Sequence, residues 1–271
     1  MLIPLAVRAF ESRRPDAILH DETSEEILEK LDYDCGAFSS SRLSQVGTAI
    51  RSMLIDNALK ECLVRNPEAV IVNLGAGLDT RVLRLKAEKF SQWIDIDVPE
   101  AIEIRKKVCA INNDNRVKMI ARSMLDFSWC DEIEWTGKPV IFIAGGLFMY
   151  FAESELKPLF DTIAQRYPGS EMLYELLAPM AVGKAKFNDS VPKLQSKPPF
   201  LWSMKRAAEI ETWNLAIRYR EEWNYFDFYK KRWGFFGVIA RSPFLRAKFA
   251  CRIVHIDFSG AQGTSEQENQ P

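Results

Sequence analysis

Ala69-Val70-Ile71-Val72-Asn73-Leu74-Gly75-Ala76-Gly77-Leu78-Asp79-Thr80-Arg81 is the stretch on which the reading of this chain turns. Its first six residues, mostly apolar and partly β-branched, read as a strand buried on both faces. Gly75 and Gly77 then form a turn, and a helical pattern begins at about Asp79. Strand, glycine turn and helix in that order let backbone approach a nucleotide-like ligand, because glycine has no side chain to keep the ligand away. By itself Gly-x-Gly can equally be a tight turn and nothing more.

Working outward, helical patterns run around Ser24 to Leu31 and Gln45 to Arg65, and Pro67 stops the second of them. Beyond the turn come a strand Gln92–Ile96, a helix from Pro99 to about Ile111, and strands at Val117–Ile120 and Pro139–Ala144. A helix from about Glu153 to Arg166, a strand Glu171–Tyr174 and a final alternating strand Cys251–Phe258 complete the pattern. Strands alternating with helices predict an α/β fold, a doubly wound and mostly parallel sheet with right-handed crossovers. The ligand site then belongs at the carboxyl ends of the strands.

The expected organisation is a single domain over residues 1–258. It divides into an N-terminal helical lid (1–66), a cofactor-binding core (67–176), a cap over the substrate region (177–250) and a last strand (251–258). The cap carries Pro179, Gly183, Pro192, Pro198 and Pro199, followed by the aromatic residues Trp202, Trp213, Trp223, Tyr225, Phe226 and Trp233. A polar tail, 259–271, is expected to be disordered. No internal repeat is visible.

With 271 residues and 47% hydrophobic side chains the chain can bury one large core. The formal net charge of -1 and the short, scattered basic clusters Arg13-Arg14, Lys106-Lys107 and Lys230-Lys231-Arg232 speak against a nucleic-acid partner. No apolar run approaches the roughly 18 residues of a spanning helix, and the apolar opening Met1–Val7 is too short for a signal-peptide core. A cytoplasmic protein with no membrane partner is expected. Cys35, Cys62, Cys109, Cys130 and Cys251 are far apart and have no metal-ligand spacing, so no metal is expected and the thiols read as ordinary buried ones.

Spacing sharpens the nucleotide reading. Asp97 closes the next strand 20 positions after Gly77, where a carboxylate can accept hydrogen bonds from both hydroxyls of a ribose. Asp95, on the same strand face, is the alternative, and Asp97 can also serve as a cap for the helix beginning at Pro99. Where a dinucleotide fold needs a third glycine this chain has Thr80, preceded by Asp79, a carboxylate at the helix start that would have to receive a pyrophosphate. That arrangement repels a dinucleotide but accepts S-adenosylmethionine, which has no phosphate and carries cationic groups. Asp79 can also be a plain helix cap.

The strings Asn73–Arg81, Asp95-Ile96-Asp97-Val98-Pro99-Glu100 and Gly146-Leu147-Phe148-Met149-Tyr150 resemble the leucine carboxyl methyltransferase family, over roughly Pro4 to Tyr174. The opening Pro4–Asp16 resembles its bacterial branch of tetracenomycin-type polyketide and other small-molecule O-methyltransferases. The resemblance implies the class I S-adenosylmethionine-dependent methyltransferase fold, S-adenosylmethionine as cofactor and S-adenosylhomocysteine as product. It implies a cofactor site of Arg51, Gly75, Ala76, Gly77, Asp97, Ser123, Met124 and Gly145. In it Arg51 pairs with the methionine carboxylate, Gly75 lies beneath it, Asp97 holds the ribose, and Ser123 and Met124 meet the adenine. Relatives acting on protein C-termini have a glutamate where this chain has Gly145, a departure that weakens the protein-directed reading.

Methyl transfer from a sulfonium proceeds by in-line displacement, so positioning and desolvation carry most of the acceleration and no catalytic side chain is assigned. Only two histidines, His20 and His255, are present, and both read as structural. Scarcity of bases favours a small-molecule acceptor that ionises easily, a carboxylate or acidic hydroxyl of a polyketide-like or aromatic compound. Arg8, Arg13 and Arg14 are candidate clamps for such an anion, against the plain reading of solvated arginines, and Tyr150 and Glu175 are further candidates at strand ends. A nicotinamide-dependent oxidoreductase, a protein C-terminal carboxyl methyltransferase and a non-catalytic cofactor-binding protein stand as alternatives. The oligomeric state is left open.

Overall fold

A computed structural model describes residues 1–31, 41–109, 114–184, 198–239 and 242–259. Cys35, Pro192 and the expected disordered tail beyond Ser259 lie outside these residues.

Seven strands form one sheet: β1 (Val70–Leu74), β2 (Gln92–Asp97), β3 (Val117–Ala121), β4 (Val140–Ala144), β5 (Glu171–Leu176), β6 (Arg218–Asn224) and β7 (Arg252–Asp257). Their order across the sheet is β3-β2-β1-β4-β5-β7-β6. The first five run parallel, while β7 is antiparallel to β5 and β6 antiparallel to β7. The doubly wound, mostly parallel α/β fold predicted from the sequence is the one observed.

Period-two alternation sorts the strand residues onto two cores. Val70, Val72 and Leu74 of β1 face one core, together with Ile94 and Ile96 of β2 and Phe142 of β4. Against that face packs α6 (Glu153–Arg166) through Leu156, Leu159, Phe160 and Ile163. Ile71, Trp93, Ile141 and Ile143 face the other core. There lie α1 (Leu2–Ser12), α2 (Glu22–Lys30) and α3 (Arg42–Arg65), α3 burying Val46, Ala49, Ile50, Leu54, Ile55, Ala58, Leu59, Cys62 and Leu63. Those positions recur at three- and four-residue intervals, as a helix stripe requires.

Two elements differ from the sequence expectation. The helix placed from Asp79 is only α4 (Arg81–Arg84): Thr80 is its N-cap residue, and Asp79 lies outside the helix, its carboxylate accepting the Arg81 N–H at 3.1 Å in a local turn. Residues 218–224, assigned to the cap, form the edge strand β6. Its Arg-Tyr-Arg-Glu-Glu-Trp-Asn sequence hides the alternation behind charge, and a register shift between Tyr219 and Glu221 breaks the period. Charged side chains on an exposed edge also block further strand pairing. The remaining helices α5 (Pro99–Val108), α7 (Phe235–Ile239) and α8 (Pro243–Phe249) follow β2 and β6. Among the described residues no helix is long and apolar enough to cross a membrane.

Candidate cofactor and acceptor site

The glycine turn after β1 is built from two residues in the left-handed region, Gly75 at φ 66° and Gly77 at φ 47°. A β-carbon on Gly75 would lie 2.6 Å from the Leu147 side chain, and one on Gly77 would enter the space between Met1 and the Asp97 carboxylate. At the end of the neighbouring β4, Gly146 has φ 75°, and a β-carbon there would lie 2.4 Å from Arg51 Nη1. The turn after β1 and the Gly145-Gly146 turn after β4 therefore flank one cleft at the carboxyl ends of adjacent strands. Gly145 faces α3, and any side chain at that position would meet Ile55 Cδ1 at 3.0 Å.

Asp97 ends β2 beside the turn. Its Oδ2 accepts the Gly77 N–H at 2.7 Å and its Oδ1 accepts the Val98 N–H at 2.8 Å. An ionised carboxylate has about four lone-pair sites, so each oxygen keeps one for a further donor. Asp95, the alternative, is a different kind of group. It is fully buried and accepts from Asn73 Nδ2, Trp93 Nε1, Arg105 Nε and Arg105 Nη2 at 2.7 to 3.0 Å. Arg105, projecting from α5 and equally buried, also donates to the carbonyls of Gly77 at 3.1 Å and Asp79 at 2.6 Å. The pair Asp95–Arg105 thus holds the turn from below.

A second buried charge network ties the N-terminal helices to the same turn. Asp21, the α2 cap, accepts from Arg8 Nε, Arg84 Nη1, Ser24 and Thr80, while Arg8 Nη2 donates to the Leu78 carbonyl at 2.7 Å. Asp56 of α3 binds Arg81 and Arg84. Burial works against the charge of Asp79, but Arg81, Arg84, Arg8 and Arg105 outweigh it and hold the carboxyl well below its ordinary range.

Arg51 reaches the cleft from α3. Its Nη1 donates to Glu175 Oε2 at 2.9 Å, and Glu175 Oε1 accepts the Tyr225 hydroxyl at 2.8 Å. Burial opposes the Arg51 charge, yet Glu175 beside it raises its pKa above the usual value. Tyr150, on the turn after Gly146, is within electrostatic reach of Arg51 and Glu175, lies 5.7 Å from the Phe200 ring with the two ring planes tilted by 43°, and has its pKa raised by burial. Tyr225→Phe should cost about 1.5–3 kcal/mol of stability, the range for a hydrogen bond to a charged group. Urea denaturation measures it, and an unchanged midpoint would mean Glu175 holds Arg51 without the phenol.

Ser123 and Met124 follow β3. Ser123 Oγ accepts the Leu125 N–H at 3.2 Å, and Met124 is buried with its carbonyl accepting Trp129 Nε1 at 3.0 Å. The three arginines of the opening do not converge. Arg8 is committed to Asp21 and Leu78, Arg13 pairs with Glu25 on the surface, and Arg14 with Asp16. Each guanidinium is directed at its own carboxylate, a buried one for Arg8 and surface ones for Arg13 and Arg14. Tyr225, Gly146 and Arg105 were not picked out as site residues from the sequence. Of these only Gly146 stood in a quoted motif.

At the opposite end of β5 from Glu175, Glu171 accepts from His255 Nε2 at 2.7 Å, Arg65 Nη2 at 2.8 Å, Asn66 Nδ2 at 3.1 Å and Cys62 Sγ at 3.4 Å. Cys62, Glu171 and His255 are three metal-ligating types close together. Arg65 donates to both Glu171 and Cys62, so the cluster already contains its cation. Burial would raise the Glu171 carboxyl, but His255 and Arg65 lower it from 4.5 to about 2. A carboxyl depressed on folding stabilises fully above its unfolded pKa and loses that contribution as pH falls through the folded value. Glu171→Gln should therefore lower stability at pH 7 by on the order of 3 kcal/mol and flatten the decline between about pH 4.5 and 2. Denaturation at a series of pH values checks both.

The leucine carboxyl methyltransferase model matches residues 1–164. The chain belongs to the leucine carboxyl methyltransferase family. It is an enzyme, an S-adenosylmethionine-dependent methyltransferase. The tetracenomycin polyketide synthesis O-methyltransferase TcmP of Streptomyces glaucescens is 26% identical, the match covering 82% of this chain and 80% of that protein. The S-adenosyl-L-methionine-dependent methyltransferase dpfgK of Gibberella zeae is also 26% identical, over the same shares. In fold, the chain resembles a DUF574-family protein of Streptomyces avermitilis with a TM-score of 0.55 and 11% identity, covering 93% of this chain and 96% of that one. It also resembles the [4+2]-cyclase SpnF with a TM-score of 0.52 and 10% identity, covering 79% and 83%.

Proposed function

We propose that this family member is a cytoplasmic O-methyltransferase whose acceptor is a small carboxylic acid or acidic phenol or enol of polyketide-like or aromatic kind. S-adenosylmethionine, when bound, supplies an electrophilic methyl group on a sulfonium. The residues that would hold it are Arg51, Gly75, Ala76, Gly77, Asp97, Ser123, Met124 and Gly145. The observation that carries the assignment is the pairing of two glycine turns, at the ends of β1 and β4, with a carboxylate beside one and an arginine against the other. Asp97 keeps free lone pairs on both oxygens for a pair of vicinal hydroxyls. Exchanging Glu175 for an external carboxylate is chemically natural for Arg51, whose planar fork suits bidentate pairing.

On the acceptor side Tyr150 and Glu175 are the polar groups at hand. Burial raises the Tyr150 pKa, so at neutral pH it is a hydroxyl donor and not a base. His255 is engaged with Glu171 at the other end of β5. With His255 so engaged, an acceptor that arrives ionised needs no base from it. The relationship to TcmP, a polyketide O-methyltransferase by name, supports the acceptor class.

Calorimetric titration with S-adenosylmethionine and S-adenosylhomocysteine tests the cofactor assignment, with micromolar binding expected for both. Methyl transfer from labelled cofactor to a panel of polyketide and aromatic acids tests the acceptor. Turnover on a peptide C-terminus but on no small acid would sink that acceptor class.

A further inference from the structure

Between Asp227 and Asp257 the sequence contains no Asp or Glu, while lysines and arginines recur among phenylalanines. Part of that charge is used internally, since Arg232 is turned to Glu11, Arg246 to Asp227 and Arg252 to Glu222. Lys230, Lys231 and Lys248 remain exposed. With them stand large apolar side chains in water: Phe235 is 74% exposed, Phe244 65% and Val238 55%. Lys248 Nζ lies 4.0 Å from the centre of the Phe244 ring, the ammonium covering an aromatic face. Asp227, Lys230, Lys231, Val238 and Arg246 line a cleft bounded by residues 226–231, α7 and α8.

Isolated exposed apolar residues need no explanation, but phenylalanines on two successive short helices, with exposed lysines in the same segment and the cleft carboxylate Asp227 already paired to Arg246, do. Aromatic and aliphatic side chains flanked by cations are suited to the interfacial layer of a bilayer, the rings at the acyl boundary and the ammoniums at the phosphates. Charge complementarity selects the partner: a surface with three exposed lysines, whose one cleft carboxylate, Asp227, is already neutralised by Arg246, favours an anionic sheet over a neutral one. Absence of a spanning helix among the described residues does not bear on a peripheral contact.

We propose that the face formed by α7, α8 and the Lys230-Lys231 turn docks this enzyme reversibly on an anionic lipid bilayer, with Phe235, Val238 and Phe244 as the inserted side chains and Lys230, Lys231 and Lys248 as the phosphate contacts. The same segment starts at Tyr225, whose hydroxyl binds Glu175, and α8 packs on the turn Pro179–Ala181 that follows β5. Docking therefore sets the acceptor side of the cleft near the bilayer. That consequence rests on the functional reading above, whereas lipid binding itself does not.

The test is cosedimentation of the full chain with phosphatidylcholine vesicles containing a quarter phosphatidylglycerol, against vesicles of phosphatidylcholine alone. Binding is expected only to the anionic vesicles, weakening in 0.5 M salt, and falling at least about tenfold in Phe235→Ser/Phe244→Ser and again in Lys230→Glu/Lys231→Glu. Titration with S-adenosylhomocysteine keeps the two readings apart: unchanged affinity in these variants establishes that they are folded, whatever the acceptor proves to be. Absence of binding to anionic vesicles, or binding that both variants retain, overturns the proposal. So does a dimer in sedimentation equilibrium that Phe235→Ser/Phe244→Ser dissociates, because a second copy would then be what covers this face.

Discussion

Asp97→Ala should weaken S-adenosylhomocysteine binding by about 1.5–3 kcal/mol, roughly tenfold to 150-fold, with little loss of secondary structure. The carboxylate stands half-buried at the end of β2 and accepts only two backbone N–H groups, so two of its lone pairs are open. One of its bonds, to Gly77, also shapes the glycine turn, which makes Asp97→Asn the informative partner. The amide oxygen of asparagine can still accept the Gly77 N–H, but the charge that strengthens hydrogen bonds from ribose hydroxyls is gone. If ribose contact is the role, Asp97→Asn falls close to Asp97→Ala in calorimetry. If shaping the turn is the role, asparagine restores most of the affinity. Wild-type affinity in Asp97→Ala would reject the assignment.

That Asp97 could be singled out from the sequence while its neighbour Asp95 stayed an alternative illustrates what a sequence carries. The turn, the strand before it and the 20-residue spacing are local, and local patterns are legible: alternation gave the strands and glycine the turns. Buried ion pairs are not local. Asp21 meets Arg8 and Arg84 at separations of 13 and 63 positions, and Arg65 and His255 meet Glu171 at 106 and 84. In sequence a buried arginine is indistinguishable from a solvated one, which is why Arg8 stood as a substrate clamp and Arg105 was not noticed. The edge strand β6 escaped for a related reason, since its outward residues are charged and a bulge breaks the alternation that would have revealed it.

The motif Gly77-Leu78-Asp79-Thr80-Arg81 takes on a second meaning in this light. Its glycine shapes the turn, but Leu78 offers a carbonyl to Arg8, Thr80 a hydroxyl to Asp21, and Arg81 a guanidinium to Asp56 and Asp79. One short string therefore both forms the turn and fastens the N-terminal helices over it. The carboxylate of Asp79, read from sequence as a bar to pyrophosphate, is neutralised by its neighbours and directed at the α4 start.

The largest effect on stability is expected from Asp95→Ala, at about 3–5 kcal/mol, the cost of leaving a buried charge without its partner. Arg105 has no route to solvent, and without Asp95 its Nε and Nη2 lose their acceptor while Asn73 and Trp93 each lose one as well. Arg105→Met should cost less, because an apolar side chain of similar length fills the space and only the Asp95 charge is stranded, with two neutral donors still bound to it. Removing both charges together, Asp95→Leu/Arg105→Met, should be milder than the sum of the single changes, the signature of a coupled pair in a double-mutant cycle. Cofactor affinity provides the functional readout. Arg105 also donates to the Gly77 and Asp79 carbonyls, so the double variant should remain weakened in S-adenosylhomocysteine binding even where its stability recovers. Full recovery of both would mean that the turn keeps its shape without support from α5, and that the ion pair beneath it serves the core alone.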